Sequence, residues 1–322
     1  MKQGNSGLEG LQLRVPAKIN LALDILGRRE DGYHEIETVM QTVSIFDELT
    51  LRRREERGIT LSTSLPFLPL DGRNLAYRAA SAFFEAVGIA DYGVEIQVKK
   101  RIPVGAGMGG GSVDAAGVLL GLNRLYRTNL SFEQLCEIGR TLGSDVPFCL
   151  LSGGAALCSG VGDQMRQIAG MPPCTLVIAK PKTGLSTALV YQKYDEMPER
   201  QASYCGKLLR AMEGDLVPAA EACGNALEEV AEQMVPMIRV LCDELVQNGA
   251  IKAVMTGSGS AVFGIFAHNS VAKRATLSLR KEHPGFFVSL ASPIAGRLRP
   301  LEPRQDGVGS RVLRIARRFE DA

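Results

Sequence analysis

The sequence predicts an α+β protein in two domains. Three observations carry this. Strand-like and helix-like segments are intermixed without a regular βαβ repeat, which disfavours a doubly wound sheet. The texture changes at Met171-Pro172-Pro173, after which glycine thins out and helical periodicity dominates. The length of 322 residues exceeds what one average domain needs. The expected units are 11–170, 171–296, and a basic tail at 297–322 that stands outside both domains as a partly ordered appendage.

Residues 11–26 alternate apolar and polar positions, and Asp31-Gly32 supplies a turn into a second alternating run, 35–51. The two read as a long antiparallel hairpin. A short strand is expected at 59–64, a Pro-rich loop at 65–72, and a helix over 75–87 capped by Asn74 and ended by Gly88. Gly93–Lys99 reads as a strand. A glycine-rich stretch then runs into the helical pattern DAAGVLLGLNRLY. Ser131 and Gln134 form a capping box for a helix to Leu142, which residues 143–147 end; Ser152-Gly153-Gly154 leads to another strand. In the second half we expect strands at 175–180, 251–255, 261–267 and 286–290, with helices at 186–195, through to about 248, and at 270–282.

Composition narrows the function classes. The 37 basic and 35 acidic residues leave +2, too balanced to indicate nucleic-acid binding. Seven scattered cysteines without a CxxC pair read as reduced thiols, and three distant histidines make no local zinc signature. No apolar run approaches the roughly 18 residues of a membrane span, and the first residues lack the apolar stretch of a secretory signal. These features predict a cytoplasmic protein with neither nucleic-acid nor membrane partners.

The strongest chemical signal is Pro103-Val104-Gly105-Ala106-Gly107-Met108-Gly109-Gly110-Gly111-Ser112-Val113, with five glycines in seven positions at a helix entrance. Backbone amides freed of side-chain bulk can converge on an anion there, and the helix dipole favours phosphate. The spacing Gly105-x-Gly107-x-x-Gly110 formally matches the dinucleotide fingerprint. That fingerprint also requires an acidic residue about 20 positions on, at the end of the next strand, where this chain has helical patterns. No Gly-Lys-Ser/Thr follows, so it is not a Walker A loop either.

This loop resembles the central motif of the galactokinase–homoserine kinase–mevalonate kinase–phosphomevalonate kinase (GHMP) superfamily. Val15-Pro16-Ala17-Lys18-Ile19-Asn20-Leu21 is similar to its N-terminal motif, and Met255-Thr256-Gly257-Ser258-Gly259-Ser260 to its C-terminal one. Asp31-Gly32-Tyr33-His34-Glu35 with Thr38 to Gln41, and Gly143-Ser144-Asp145-Val146-Pro147-Phe148, narrow the likeness to the branch that phosphorylates 4-diphosphocytidyl-2-C-methyl-D-erythritol. The resemblance spans about residues 11–293.

The resemblance implies a ribosomal protein S5 domain 2-like N-terminal domain, a ferredoxin-like C-terminal domain, and an active site in the cleft between them. It implies a monomer or homodimer with ATP and Mg²⁺ as phosphoryl donor system and, as acceptor, the 2-hydroxyl of a small-molecule substrate, the cytidyl alcohol, in non-mevalonate isoprenoid synthesis. Lys18 and Asp145 correspond to the catalytic pair. Phosphoryl transfer depends on positioning and electrostatics, so Asp145 would accept or orient the hydroxyl proton and Lys18 would stabilise developing charge. Residues 103–113 would bind the nucleotide. Tyr33, His34 and Tyr191 would hold cytosine, Asn20 would lie near the acceptor hydroxyl, and Gly257, Ser258 and Gly259 near the substrate phosphates. Ser112 is the candidate Mg²⁺ contact.

Departures from the motif are Val113, where a second hydroxyl residue is usual, Ala226, where an acid is common, and Asp163 in place of Glu. A GHMP-type kinase acting on another small alcohol, or a non-catalytic nucleotide-binding protein on this scaffold, remains open at this point.

Overall fold

The computed structural model describes residues 10–197 and 203–296. The expected basic tail at 297–322 lies outside the described residues. The first half opens with the long hairpin, β1 (Gly10–Arg28) and β2 (His34–Arg53), paired antiparallel from Gly10 opposite Arg52 to Arg28 opposite His34. Register shifts between Pro16 and Ala17 and between Asn20 and Ala22 bracket the Lys18–Asn20 segment. Such bulges bend a strand and re-aim its side chains. β3 (Gly58–Thr63) and β4 (Gly93–Lys99) extend the sheet beyond β2, while β5 (Ala155–Ser159) pairs with another stretch of β2 and β6 (Gln164–Ile168) pairs with β5.

Four helices accompany these strands. α1 (Leu75–Ala86) begins where the Asn74 side chain accepts a hydrogen bond from the Ala76 amide. α2 (Gly110–Leu125) lies against the hairpin at close range. A Cβ at Gly117 would stand 2.7 Å from Val15, and one at Gly121 2.9 Å from Leu13 and Leu51, so small residues one turn apart set that spacing. α3 (Phe132–Leu142) carries the reciprocal capping box of Ser131 and Gln134, and Gly143 ends it. The next segment was expected only to end that helix. Instead it starts α4 (Val146–Leu150), with Pro147 in its first turn, where a missing N–H costs nothing.

The second half contributes β7 (Thr175–Lys180), α5 (Thr187–Asp195), α6 (Tyr204–Ala211), α7 (Leu216–Glu221), the two-residue β8 (Gly224–Asn225), α8 (Glu228–Met234) and α9 (Met237–Gln247). It closes with β9 (Lys252–Met255), β10 (Val262–Phe266), α10 (Asn269–Glu282) and β11 (Phe287–Ala291). The order β11-β7-β10-β9, all antiparallel, is the arrangement expected of a ferredoxin-like layer. Leu241 and Leu245 of α9 and Ala275 and Leu279 of α10 pack on Val177, Val262 and Phe266 of the sheet. The α+β expectation holds.

The chain crosses between the halves more than once. β8 pairs in parallel with Ala22 and Leu23 of β1, and Ser292 and Ile294 bond to Ser44 and Thr42 of β2. Asp24 reaches the other way: its carboxylate accepts the Tyr204 and Cys205 amides at 2.9 Å each, capping α6 from a neighbouring strand.

Candidate active site

β1 should show one solvated face if its alternation alone decided its environment. It does not, because Val15 to Asp24 are buried continuously between α2 on one side and the second half on the other. Lys18 is therefore only 4% exposed, whereas a lysine on an alternating strand would ordinarily reach solvent. Its ammonium lies 3.1 Å from Asp145 Oδ2 and donates to Asn20 Oδ1 at 2.7 Å. Asn20 Nδ2 donates in turn to Thr38 Oγ1 at 2.8 Å, and the Thr38 hydroxyl donates to the Ala22 carbonyl at 2.7 Å. A buried ammonium needs such partners to offset lost hydration. The Asn20 amide, expected near the acceptor hydroxyl, thus spends its oxygen on Lys18 and orients it.

Asp145 occupies the N-cap position of α4 without capping it, and its side chain is 26% exposed. The carboxylate is therefore free to face the cleft. That cleft holds about 1120 Å³ and is lined by Lys18, Asn20, Tyr33, His34, residues 103–112, Asp145, Tyr191 and Gly257–Gly259.

The glycine-rich loop is held from both halves. Lys18 N donates to the Met108 carbonyl at 3.3 Å and Ala261 N to the Ala106 carbonyl at 3.4 Å. Gly107 and Gly109 both have φ of +70°. A Cβ at Gly107 would fall 2.0 Å from the Thr256 carbonyl oxygen, and one at Gly109 3.1 Å from the Lys18 side chain. Only glycine suits either place. Gly109 is the N-cap of α2 and supplies no side-chain cap, so the first-turn amides of Gly110, Gly111 and Ser112 are orphan donors beside the cleft. Val113 departs from its expected place. It is 1% exposed in the core, and its amide bonds to the Gly109 carbonyl at 2.8 Å as the helix begins, so it does not line the cleft.

Beneath this loop lies a buried cluster that the sequence reading missed. Lys100 Nζ donates to Asp47 Oδ2 at 2.5 Å, to Asp114 Oδ2 at 2.6 Å and to the Gly110 carbonyl at 3.2 Å. Burial opposes the Lys100 charge, but the two carboxylates hold its ammonium above the usual lysine value. Burial pushes the Asp114 carboxyl up to about 8 against the pull of Lys100, with Asp47 adding to the rise. A carboxyl with a raised folded value contributes stability below its unfolded value, lost as pH rises through the folded one. Asp114→Asn should therefore flatten stability between the ordinary aspartate value, about 3.9, and about 8, measured by urea unfolding at stepped pH. Burial also raises Glu228, to about 7, so the informative quantity is the difference between variant and parent.

The second glycine cluster is clamped from below. Asn225 Nδ2 donates to the Met255 and Gly257 carbonyls at 2.8 Å each, and Glu228 accepts the Met255 amide at 2.5 Å. Ser258 meets Thr187 of α5, hydroxyl to hydroxyl, at 2.8 Å. Thr256 Oγ1 accepts the Asn20 amide at 2.9 Å, which ties this cluster to the Lys18 strand.

At the far end of the cleft, Tyr33 is 67% exposed on the hairpin turn, with its amide bonded to Asp31 Oδ1. Tyr191 of α5 lines the same cleft. Its ring lies 4.9 Å from that of His34, tilted by 32°. Burial raises the Tyr191 phenol further above its already high value. His34 Nε2 sits 2.6 Å from Asp195 Oδ1, a partner the sequence reading overlooked although it lies one helical turn beyond Tyr191.

Two family models match: the GHMP kinases N terminal domain over residues 74–153 and the GHMP kinases C terminal domain over residues 207–285. A 4-diphosphocytidyl-2-C-methyl-D-erythritol kinase of Caldicellulosiruptor bescii is 44% identical over 84% of this chain and 94% of its own length. That of Bacillus pumilus is 42% identical over 83% and 92%. A crystal structure of 4-(cytidine 5'-diphospho)-2C-methyl-D-erythritol kinase superposes with a TM-score of 0.73 at 35% identity, covering 88% of this chain and all, 100%, of that one. Homoserine kinase from Cytophaga hutchinsonii shares the fold alone, with a TM-score of 0.71 at 18% identity over 92% of this chain and 98% of its own. Among the described residues no helix is long and apolar enough to cross a membrane. With identity at this level across most of both chains, the protein belongs to the 4-diphosphocytidyl-2-C-methyl-D-erythritol kinase family of ATP-dependent GHMP kinases.

Proposed function

We propose that the protein transfers the terminal phosphoryl group of ATP to the 2-hydroxyl of 4-diphosphocytidyl-2-C-methyl-D-erythritol, in the cytoplasm, as a step of non-mevalonate isoprenoid precursor synthesis. The single observation that carries this reading is the 3.1 Å ion pair of Lys18 and Asp145 beside the entrance of α2. Phosphoryl transfer needs little covalent help from the protein but demands alignment and charge stabilisation. Asp145 accepts or orients the hydroxyl proton. Lys18, fixed by Asn20 and Thr38, stabilises charge on the transferring group.

The orphan amides of Gly110 to Ser112 and the bulk-free backbone at Gly105 to Gly109 suit a triphosphate, an anion at a helix N-terminus. The Ser112 hydroxyl, lining the same cleft, is an oxygen donor suited to a hard cation such as Mg²⁺. Bound there, the ion would neutralise phosphate charge. Tyr33, His34 and Tyr191 supply flat surfaces and a polar edge for a nucleobase, and Gly257 to Gly259 bring backbone to the acceptor phosphates. We assign residues 11–170 and 171–296 as the two domains facing this cleft.

The test is direct. Purified protein with ATP, Mg²⁺ and the cytidyl alcohol should yield ADP and a phosphorylated product in equal amounts, and cytidine 5′-diphosphate should compete with the acceptor. ADP release that responds to mevalonate or homoserine, and not to the cytidyl alcohol, would overturn the acceptor assignment.

A further inference from the structure

The far end of the cleft holds an arrangement that the phosphoryl chemistry does not require. α5 presents Tyr191 and Asp195 one turn apart on the face toward the hairpin. Both engage His34: the Tyr191 ring lies against the imidazole, and Asp195 Oδ1 takes Nε2 at 2.6 Å. The second Asp195 oxygen lies 3.5 Å from Arg28. The His34 side chain is 8% exposed, so the ring is held on its face and at one nitrogen. Nδ1 has no hydrogen-bond partner among the described residues, and His34 lines the cleft.

A carboxylate can only accept, so Nε2 must carry the hydrogen. In the neutral ring, Nδ1 is then an acceptor; the second partner of a histidine commonly fixes its tautomer in this way. Cytosine and uracil differ at N3 and at the 4-substituent, and an acceptor placed against the 4-substituent tells them apart in favour of cytosine. Cytosine presents an amino donor where uracil presents a carbonyl acceptor. An Nδ1 lone pair bonds the first and leaves the second unpaired and repelled.

We propose that Asp195 is a positioning residue for base choice: by accepting the Nε2 hydrogen it fixes His34 in the tautomer whose Nδ1 accepts from a cytosine amino group, so the cleft takes cytidine in preference to uridine diphosphates. This rests on the cytidyl reading of the site and deepens it by naming what selects the base. Asp195 acts through His34, and no contact of its own with the base is needed.

The experiment measures dissociation constants for cytidine 5′-diphosphate and uridine 5′-diphosphate by calorimetry, with the KM for ATP alongside. The ratio of the two constants is the readout, since general loosening of the site would weaken both. Asp195→Leu should lower the preference for cytidine by about tenfold, roughly one hydrogen bond, with the KM for ATP unchanged. Asp195→Asn keeps an oxygen that can accept from Nε2 and should retain the parent ratio within about threefold, less than half the free energy of that bond. His34→Phe keeps a flat ring without nitrogen and should lose the preference as Asp195→Leu does. It also decides the matter if the leucine variant fails to fold.

An Asp195→Leu protein with the parent ratio, or a His34→Phe protein that still prefers cytidine, would overturn the role of Asp195 and leave the kinase assignment standing. A parent protein that binds both diphosphates equally, or neither, would remove the cytidyl reading and this inference together.

Discussion

Asp145→Asn should lower kcat by about 10²- to 10⁴-fold, the usual worth of a positioned proton acceptor, while the KM for ATP stays near the parent value. The amide matches the carboxylate in size and still offers an oxygen to Lys18, 3.1 Å away, so the pair's geometry is largely kept. What is lost is the capacity to take a proton and the negative charge beside the incoming hydroxyl. Steady-state kinetics with the cytidyl alcohol and ATP varied separately gives the answer. A kcat within about threefold of the parent, far short of the range for such catalysis, would show that Asp145 neither accepts nor orients the proton.

Gly107→Ala is the second large effect, and its cause is steric. The added methyl would sit 2.0 Å from the Thr256 carbonyl oxygen, a backbone atom that cannot rotate away, at a φ of +70°. The loop must separate from the Thr256 turn. Overpacking of this kind typically costs about 1–3 kcal/mol, to which the left-handed backbone adds roughly 1–2 kcal/mol. Activity should suffer more than stability, because a misplacement of about 1 Å in a positioning element can cost some 10²-fold in rate. Thermal unfolding and kcat/KM for ATP measured on one preparation separate the two. An alanine variant with parent kcat/KM would mean that the loop's approach to Thr256 is unimportant for catalysis.

Much of this site was legible before any coordinates. The glycine spacing marks a loop whose backbone must come close to its neighbours at a helix entrance, as Gly107 and Gly109 do. The Asn74 cap and the Ser131–Gln134 box are local devices whose partners lie within a few residues, so sequence states them outright. The hairpin of β1 and β2 follows from alternation and one turn. By contrast, α4 escaped because five residues are too few to show a period, and β8 because two residues have no pattern at all.

Burial of Lys18 escaped for another reason. A strand's alternation reports one covered face, and whether the other is covered depends on segments more than 200 positions away, such as Thr256. The Asp47–Lys100–Asp114 cluster draws on β2, the residue just past β4 and α2, so no spacing rule could have joined it. Val113 was assigned to the nucleotide by its place in the motif. The helical turn there aims it at the core instead.

The outer edge of β1 ends where the two halves meet, and three of its backbone groups find partners from elsewhere in the chain. The Lys18 amide goes to Met108, the Asn20 amide to the Thr256 hydroxyl, and the Leu23 carbonyl accepts from Ala226. Two of those three partners are encoded downstream of residue 220. A gene split near residue 170 would thus yield an upstream fragment with an unsealed strand rim, a surface prone to recruiting foreign strands. An upstream fragment divided in this way should stay soluble only when the downstream fragment is supplied at the same time.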